Sequence, residues 1–145
     1  MRMTREWIET HIPHQGRMCL LDEVLDWDGT FVRCRSATHR ESQHPLRAHG
    51  RLGIACGIEY AAQTMAVHGA LLQIKADRGF LISLRDVVFG AERLDDLDAD
   101  LVCEATHLGG DASMTLYKFS LSAADRQLLG GRAAVVLDGA KGPVR

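Results

Sequence analysis

The residue types that can do acid–base chemistry gather in one stretch. Leu52 to Ile74 reads LGIACGIEYAAQTMAVHGALLQI, with Glu59 as its one carboxylate. On a helix apolar nearly all round, a carboxyl is desolvated and its ionised form disfavoured, which makes a general acid near neutral pH. Gln63 at i+4 and Cys56 at i−3 share its stripe with Leu52, so Gln63 is placed to orient the carboxyl by hydrogen bonding. A structural ion pair with a sheet-borne arginine (Arg33, Arg35 or Arg85) fits the same spacing equally well.

Before this block, Gln43 to Gly53 (QHPLRAHGRLG) holds His44, His49, Arg47, Arg51, Pro45 and two glycines. A histidine there is a candidate base beside a helix N-terminus, whose free N–H groups can hold a developing oxyanion, and Gly53 lets a ligand approach that backbone closely. His14 in IPHQGRM faces the same site or caps the first strand. His39, His68 and His107 lack metal-ligand spacing to other donors, so no metal is expected. The acidic run Asp95, Asp96, Asp98, Asp100 lacks the glycine and terminal Glu of an EF-hand loop and reads as a solvated turn.

The elements that must position these groups follow from periodicity. Thr4 to His11 forms one or two helical turns, ending at Ile12 because Pro13 disfavours helix in the residue before it. Met18–Trp27 and Phe31–Thr38 flank Asp28-Gly29 as a hairpin. Leu52–Ile74 is a buried central helix, since its Ala, Leu, Met and Gln content favours helix and its four polar side chains make a membrane span expensive. Gly57 and Ala61 let it sit close to a sheet. Phe80–Phe89, Asp100–His107, Ser113–Ala123 and Arg132–Leu137 read as strands, bounded by Gly109-Gly110-Asp111, Gly130-Gly131 and Asp138-Gly139. This is an α+β fold: a long central helix against a curved antiparallel sheet of about five or six strands. Ala140–Arg145 reads as a frayed tail.

At 145 residues, 46% hydrophobic and 25% charged, the chain has the composition of a single globular domain, 1–145. Seventeen basic against nineteen acidic residues leave a formal charge of −2, which offers no field for nucleic acid. The first residues lack a signal peptide's apolar run, and the four cysteines form no C-x-x-C. They are expected to be reduced, in a cytoplasmic protein. No Rossmann or P-loop glycine pattern calls for a nucleotide cofactor.

Three segments together, Ile12–Val24 (IPHQGRMCLLDEV), His44-Pro45 and Gly57–Gln63 (GIEYAAQ), resemble the hot-dog-fold 3-hydroxyacyl-(acyl carrier protein) dehydratases of type II fatty acid synthesis, and more closely the divergent branch found with aryl-polyene clusters. The resemblance spans about Ile12 to Leu137. It implies Glu59 as catalytic acid, His44 as the histidine of the family's His-Phe-Pro loop (here without the Phe), and the Gly53 amide as the group polarising the thioester carbonyl. Gln63, His49 and His14 complete the implied substrate-binding set. The loop departs from the family pattern around Ala48–Gly53, which keeps His49 and His14 open as the base. The implied reaction is loss of water from a 3-hydroxyacyl thioester without a cofactor. The implied partners are an acyl carrier protein, met by Arg47, Arg51, Arg78 or Arg93, and a second hot-dog subunit, as homodimer, higher homo-oligomer or heterodimer. No membrane partner is implied. A hot-dog thioesterase and a silent subunit that stabilises an active dehydratase are the competing functions.

Overall fold

A computed structural model describes residues 3–14, 16–74, 78–111 and 113–138; the tail at 140–145 lies outside the described residues. The chain runs through β1 (Met3–Thr4), α1 (Arg5–His11), β2 (Glu23–Trp27), β3 (Phe31–Ser36), α2 (Gly57–Leu71), β4 (Arg78–Phe89), β5 (Leu101–Gly110), β6 (Met114–Ala123) and β7 (Arg126–Asp138). Short 3-10 turns lie at Gly16–Met18, Thr38–Arg40 and Ile54–Cys56.

Local chemistry explains the elements. α1 stops as expected: Ile12, ahead of Pro13, is extended at φ −118 and ψ 160. The β2–β3 hairpin closes through the Asp28 N–H on the Phe31 carbonyl at 2.9 Å, and the Asp28 carboxylate accepts the Thr30 N–H at 2.7 Å. In β3, Val32, Cys34 and Ser36 are buried while Phe31, Arg33 and Arg35 stay half-exposed. β5 buries Leu101, Cys103 and Ala105, and β6 buries Thr115, Tyr117, Phe119, Leu121 and Ala123 on the same face.

The sheet has seven strands in the order β1-β2-β3-β5-β6-β7-β4, all antiparallel. That is more than five or six, because two-residue β1 pairs with β2 and adds a strand that no periodicity marks. β7 is also longer than expected. It runs through Gly130-Gly131, which look like punctuation; Gly131 lies opposite Phe119, and a Cβ there would stand 3.0 Å from the Phe119 ring. The glycine makes room for an aromatic ring inside a continuous strand.

α2 packs over β3, β5 and β6. Gly57 permits this approach: a Cβ on it would fall 2.8 Å from Leu129 Cδ2 and 3.2 Å from Leu121 Cδ2. The helix is not buried all round, however. Tyr60, Ala61, Gln63, Thr64, Val67, His68 and Leu71 face the core, while Ile58, Ala62, Ala66 and Ala70 stay half-exposed on the opposite side. No described helix is long and apolar enough to cross a membrane. All four cysteines are free; Cys34 and Cys103 face each other across β3 and β5, and burial pushes the Cys34 thiol up to about 12.

Candidate active site

After β3 the chain makes the Thr38–Arg40 turn and enters the loop that carries His44. Backbone bonds from the His44 N–H to the Glu41 carbonyl (3.2 Å) and from the Arg47 N–H to the His44 carbonyl (3.2 Å) fix its local course. The ring is 5% exposed. Its Nε2 lies 2.9 Å from the Tyr60 hydroxyl, and its Nδ1 accepts the Leu46 N–H at 3.0 Å. The Tyr60 hydroxyl stands 2.8 Å from Thr38 Oγ1, which donates to the Leu20 carbonyl at 2.8 Å. Desolvation, then the nearby Arg47 and His39 charges, lower the His44 pKa from its ordinary 6.5, so the imidazole is neutral at pH 7. Desolvation also raises the Tyr60 phenol well above its usual range, so it stays protonated.

Glu59 contradicts the expectation of a buried acid: it is exposed, in the first turn of α2. The reason is helical phase, since Tyr60 and Gly57 turn inward and leave position 59 on the outer side. Nor, among the described residues, is it paired with a sheet arginine. Arg33 pairs with Glu104 at 3.5 Å, and Arg35 pairs with Glu23 at 2.7 Å and Asp100 at 3.2 Å. Within one chain His44 is buried beside Tyr60 and Glu59 is exposed, with no hydrogen bond or ion pair between them among the described residues.

Gln63 does not orient Glu59. It is fully buried, accepting the Leu20 N–H at 2.8 Å and donating to the Met18 carbonyl at 2.7 Å. It clamps the segment after α1 to the helix, which is why β2 begins at Glu23 and not near Met18. His49 occupies an exposed turn tip. With φ of 54, next to Gly50 at φ 74, it forms a tight turn closed by Ala48–Arg51 backbone bonds of 2.9 and 3.0 Å. His14 is half-buried, and its Nδ1 is shielded from solvent with no hydrogen-bond partner among the described residues.

Gly53 caps the Ile54–Cys56 turn, is exposed, and has nothing within 4 Å of where a Cβ would stand. Its flanks are pinned by the Ile54 N–H on the Glu92 carbonyl (3.0 Å) and the Leu94 N–H on the Leu52 carbonyl (2.8 Å). The Asp95 carboxylate accepts the Leu52 N–H at 2.8 Å, and its ion pair with Arg93 holds it well below the usual carboxylate range. Part of the acidic run is thus structural: Asp95 holds the helix entrance, and Asp100 binds Arg35 and Arg40. Arg93 is committed to Asp95, Arg47 reaches the Gly50 and His39 carbonyls, and Arg51 is exposed; the side chain of Arg78 lies outside the described residues.

The residues missed by sequence reading are Tyr60 and Thr38. The signal was a tyrosine inside an apolar helix, since a buried hydroxyl needs a partner. A second buried pair lies at the other end of α2. His68 Nε2–H donates to the Asp28 carbonyl at 3.0 Å and its Nδ1 accepts the Tyr117 hydroxyl at 2.7 Å.

A family profile described as ApeP-like, ApeP dehydratase, matches residues 6–139. Among solved structures, the chain is similar to the dehydratase heterocomplex ApeI:P from Xenorhabdus doucetiae, at 20% identity over 91% of both chains with a TM-score of 0.82. It is also similar to the sigma28-regulated virulence protein Cj0977 from Campylobacter jejuni (14% identity, 91% of this chain and 96% of that one, TM-score 0.64). A mutant of thioesterase PA1618 from Pseudomonas aeruginosa matches at 11% identity over 79% of each chain, TM-score 0.54. These likenesses establish the hot-dog fold. A search of curated proteins finds no sequence match.

Proposed function

The chain belongs to the ApeP-like dehydratase family, and we propose that it eliminates water from a 3-hydroxyacyl thioester carried on acyl carrier protein, in an active site shared with a second hot-dog subunit. The observation that carries this reading is the division of the acid–base pair. His44 is neutral and set into the protein wall, whereas Glu59 stands on the outer surface of α2. A second subunit against that surface would bring a carboxylate to one histidine and a histidine to the other carboxylate.

The surface supports a partner. Among the described residues β4 is an edge strand, paired only with β7, and it exposes Leu81, Leu84, Val88 and Phe89. The half-exposed apolar face of α2 lies beside Glu59. The ApeI:P complex, similar in fold, is itself a dehydratase heterocomplex, so the partner is either a second copy of this chain or a related hot-dog subunit. Exposed Arg51 is the arginine of the loop free to meet an acidic carrier or the phosphate of its arm.

In the reaction, His44 takes a proton from C2 while the Gly53 N–H donates a hydrogen bond to the thioester oxygen, where negative charge develops. The C2–H electron pair becomes the C2–C3 double bond, and the C3–O bond breaks as Glu59 of the adjoining subunit protonates the departing hydroxyl. A second reading, a silent subunit supporting an active partner, draws on the fact that both ring nitrogens of His44 are already hydrogen-bonded.

Enoyl thioester formation, measured with this chain alone and co-purified with a related hot-dog subunit, separates the two. The dehydratase reading expects His44→Ala and Glu59→Gln each to lower the rate by about 10²–10⁴-fold with the fold intact. Turnover that needs the partner and ignores both substitutions makes the chain a silent subunit. Folded protein that dehydrates nothing in either state overturns both readings.

A further inference from the structure

We infer that Tyr60, backed by Thr38, is the positioning residue that sets which nitrogen of His44 acts as the base; the inference rests on the reading of His44 as that base. The hydrogen-bond directions follow from the ends of the chain. The Thr38 hydroxyl stands 2.8 Å from Leu20 O, which only accepts, and 2.9 Å from Ser36 Oγ, which itself donates to Leu20 O, so its one hydrogen has acceptors on the side away from Tyr60. Thr38 then has only lone pairs to offer Tyr60 Oη at 2.8 Å, so the phenol donates to it. Having used its hydrogen, the phenol accepts from His44 Nε2–H at 2.9 Å.

The other side of the ring gives the same answer independently. The Leu46 N–H only donates, and it points at His44 Nδ1 from 3.0 Å, so Nδ1 carries the lone pair. Both ends impose one tautomer, with the proton on Nε2 and the basic electron pair on Nδ1. Ser36 Oγ, 2.5 Å from the same Leu20 carbonyl, reinforces the terminus of the relay. The base is therefore Nδ1, and the Leu46 N–H occupies it until a substrate C2–H takes its place. Tyr60 and Thr38 touch no substrate; they act through the imidazole.

Two isosteric substitutions break the relay at different points. Tyr60→Phe removes the acceptor for Nε2–H. Thr38→Val leaves the phenol with a hydrogen and no oxygen to receive it, so it turns its O–H on Nε2 and drives the proton towards Nδ1. Thr38→Ser keeps the hydroxyl and restores the wild-type state. The first readout is the tautomer of His44, from nitrogen–proton correlations of histidine-labelled protein, with the resonance assigned by its loss in His44→Ala. The second is the separation of kcat from KM, measured on 3-hydroxyacyl thioester with the partner subunit present.

Wild type and Thr38→Ser are expected to show the Nε2–H tautomer alone. Tyr60→Phe and Thr38→Val are expected to show a mixed or reversed pattern and a kcat lower by on the order of 10–100-fold at nearly unchanged KM. A wild-type-like tautomer in both variants, or a kcat within twofold of wild type, overturns the inference, as does a rise in KM at constant kcat. If wild type itself dehydrates nothing, the functional reading has failed, and the tautomer spectra still decide whether Tyr60 and Thr38 set the proton on His44.

Discussion

Two histidine–tyrosine pairs are buried against α2, one at each end, and they differ in what holds the imidazole. At the far end, His68 is held on both sides: its Nε2–H ends on a main-chain carbonyl, Asp28 O, and its Nδ1 takes the hydrogen of Tyr117. At the near end, His44 donates to a tyrosine that passes its hydrogen through a threonine to a carbonyl, and its basic nitrogen meets only a loop N–H. Burial lowers both histidines below 6.5. His68 joins the β2–β3 turn to β6, its Nδ1 held by a phenol that β6 carries. His44 also has both nitrogens bonded, but its Nδ1 is held by the N–H of Leu46, two residues on in the same loop. Similar burial thus yields a tie to the sheet in one place and, on the function proposed above, a restrained base in the other.

The largest expected effect that would break this contrast is on catalysis. His44→Ala should lower dehydration by about 10²–10⁴-fold, whereas His68→Ala should leave the rate per folded molecule within a few fold, as enoyl formation corrected for folded fraction reads out. Equal losses would erase the distinction. Stability should show the reverse order. His68→Ala leaves the Tyr117 hydroxyl and Asp28 carbonyl unpaired beside a cavity and should cost about 2–4 kcal/mol by urea unfolding, more than Tyr60→Phe at about 1–2 kcal/mol.

Gln63→Leu sharpens the near-end description, because it strips both main-chain bonds that hold Met18 and Leu20, and Leu20 O is where the Thr38 hydroxyl ends. A loss of about 1–3 kcal/mol is expected, with kcat reduced less than in His44→Ala. The smallest effect is the pH dependence. His39, His44 and His68 all have folded pKa values below 6.5, so the unfolded chain takes up protons that the native state refuses. Their contribution is fully present above 6.5 and declines as pH falls from there towards the depressed folded values, by at most about 1.4 kcal/mol per pH unit for each histidine. Replacing His68 with Gln should flatten that slope by one histidine's share; stability that rises on acidification below pH 6.5 contradicts the lowered pKa values of all three.

Much of the fold was legible in the residues themselves. Pro13 marked the end of α1, Asp28-Gly29 the hairpin, and alternation in β3, β5 and β6 the buried face of the sheet. The apolar run around Glu59 marked the helix, and Gly57 its close contact with the sheet. The family resemblance rested on the same segments that the profile match later spanned. What misled was treating an apolar helix as a buried one. Ile58, Ala62, Ala66 and Ala70 are apolar and yet half-exposed, and Glu59 shares that side.

The sequence by itself determined element types, the order in which they follow, and where side chains capable of acid–base chemistry stand along them, because these depend on periodicities and side-chain types set within a few neighbouring positions. Only the tertiary structure decided which way each group points and what meets it. Gln63 finds Met18 and Leu20 and not Glu59, His44 finds Tyr60, and Asp95 finds Arg93 and the Leu52 N–H. Two of these three, Gln63 with Leu20 and Asp95 with Leu52, join residues 43 positions apart. Hydrogen bonds of that span are chosen by how the helix packs on the sheet, a choice no local pattern records.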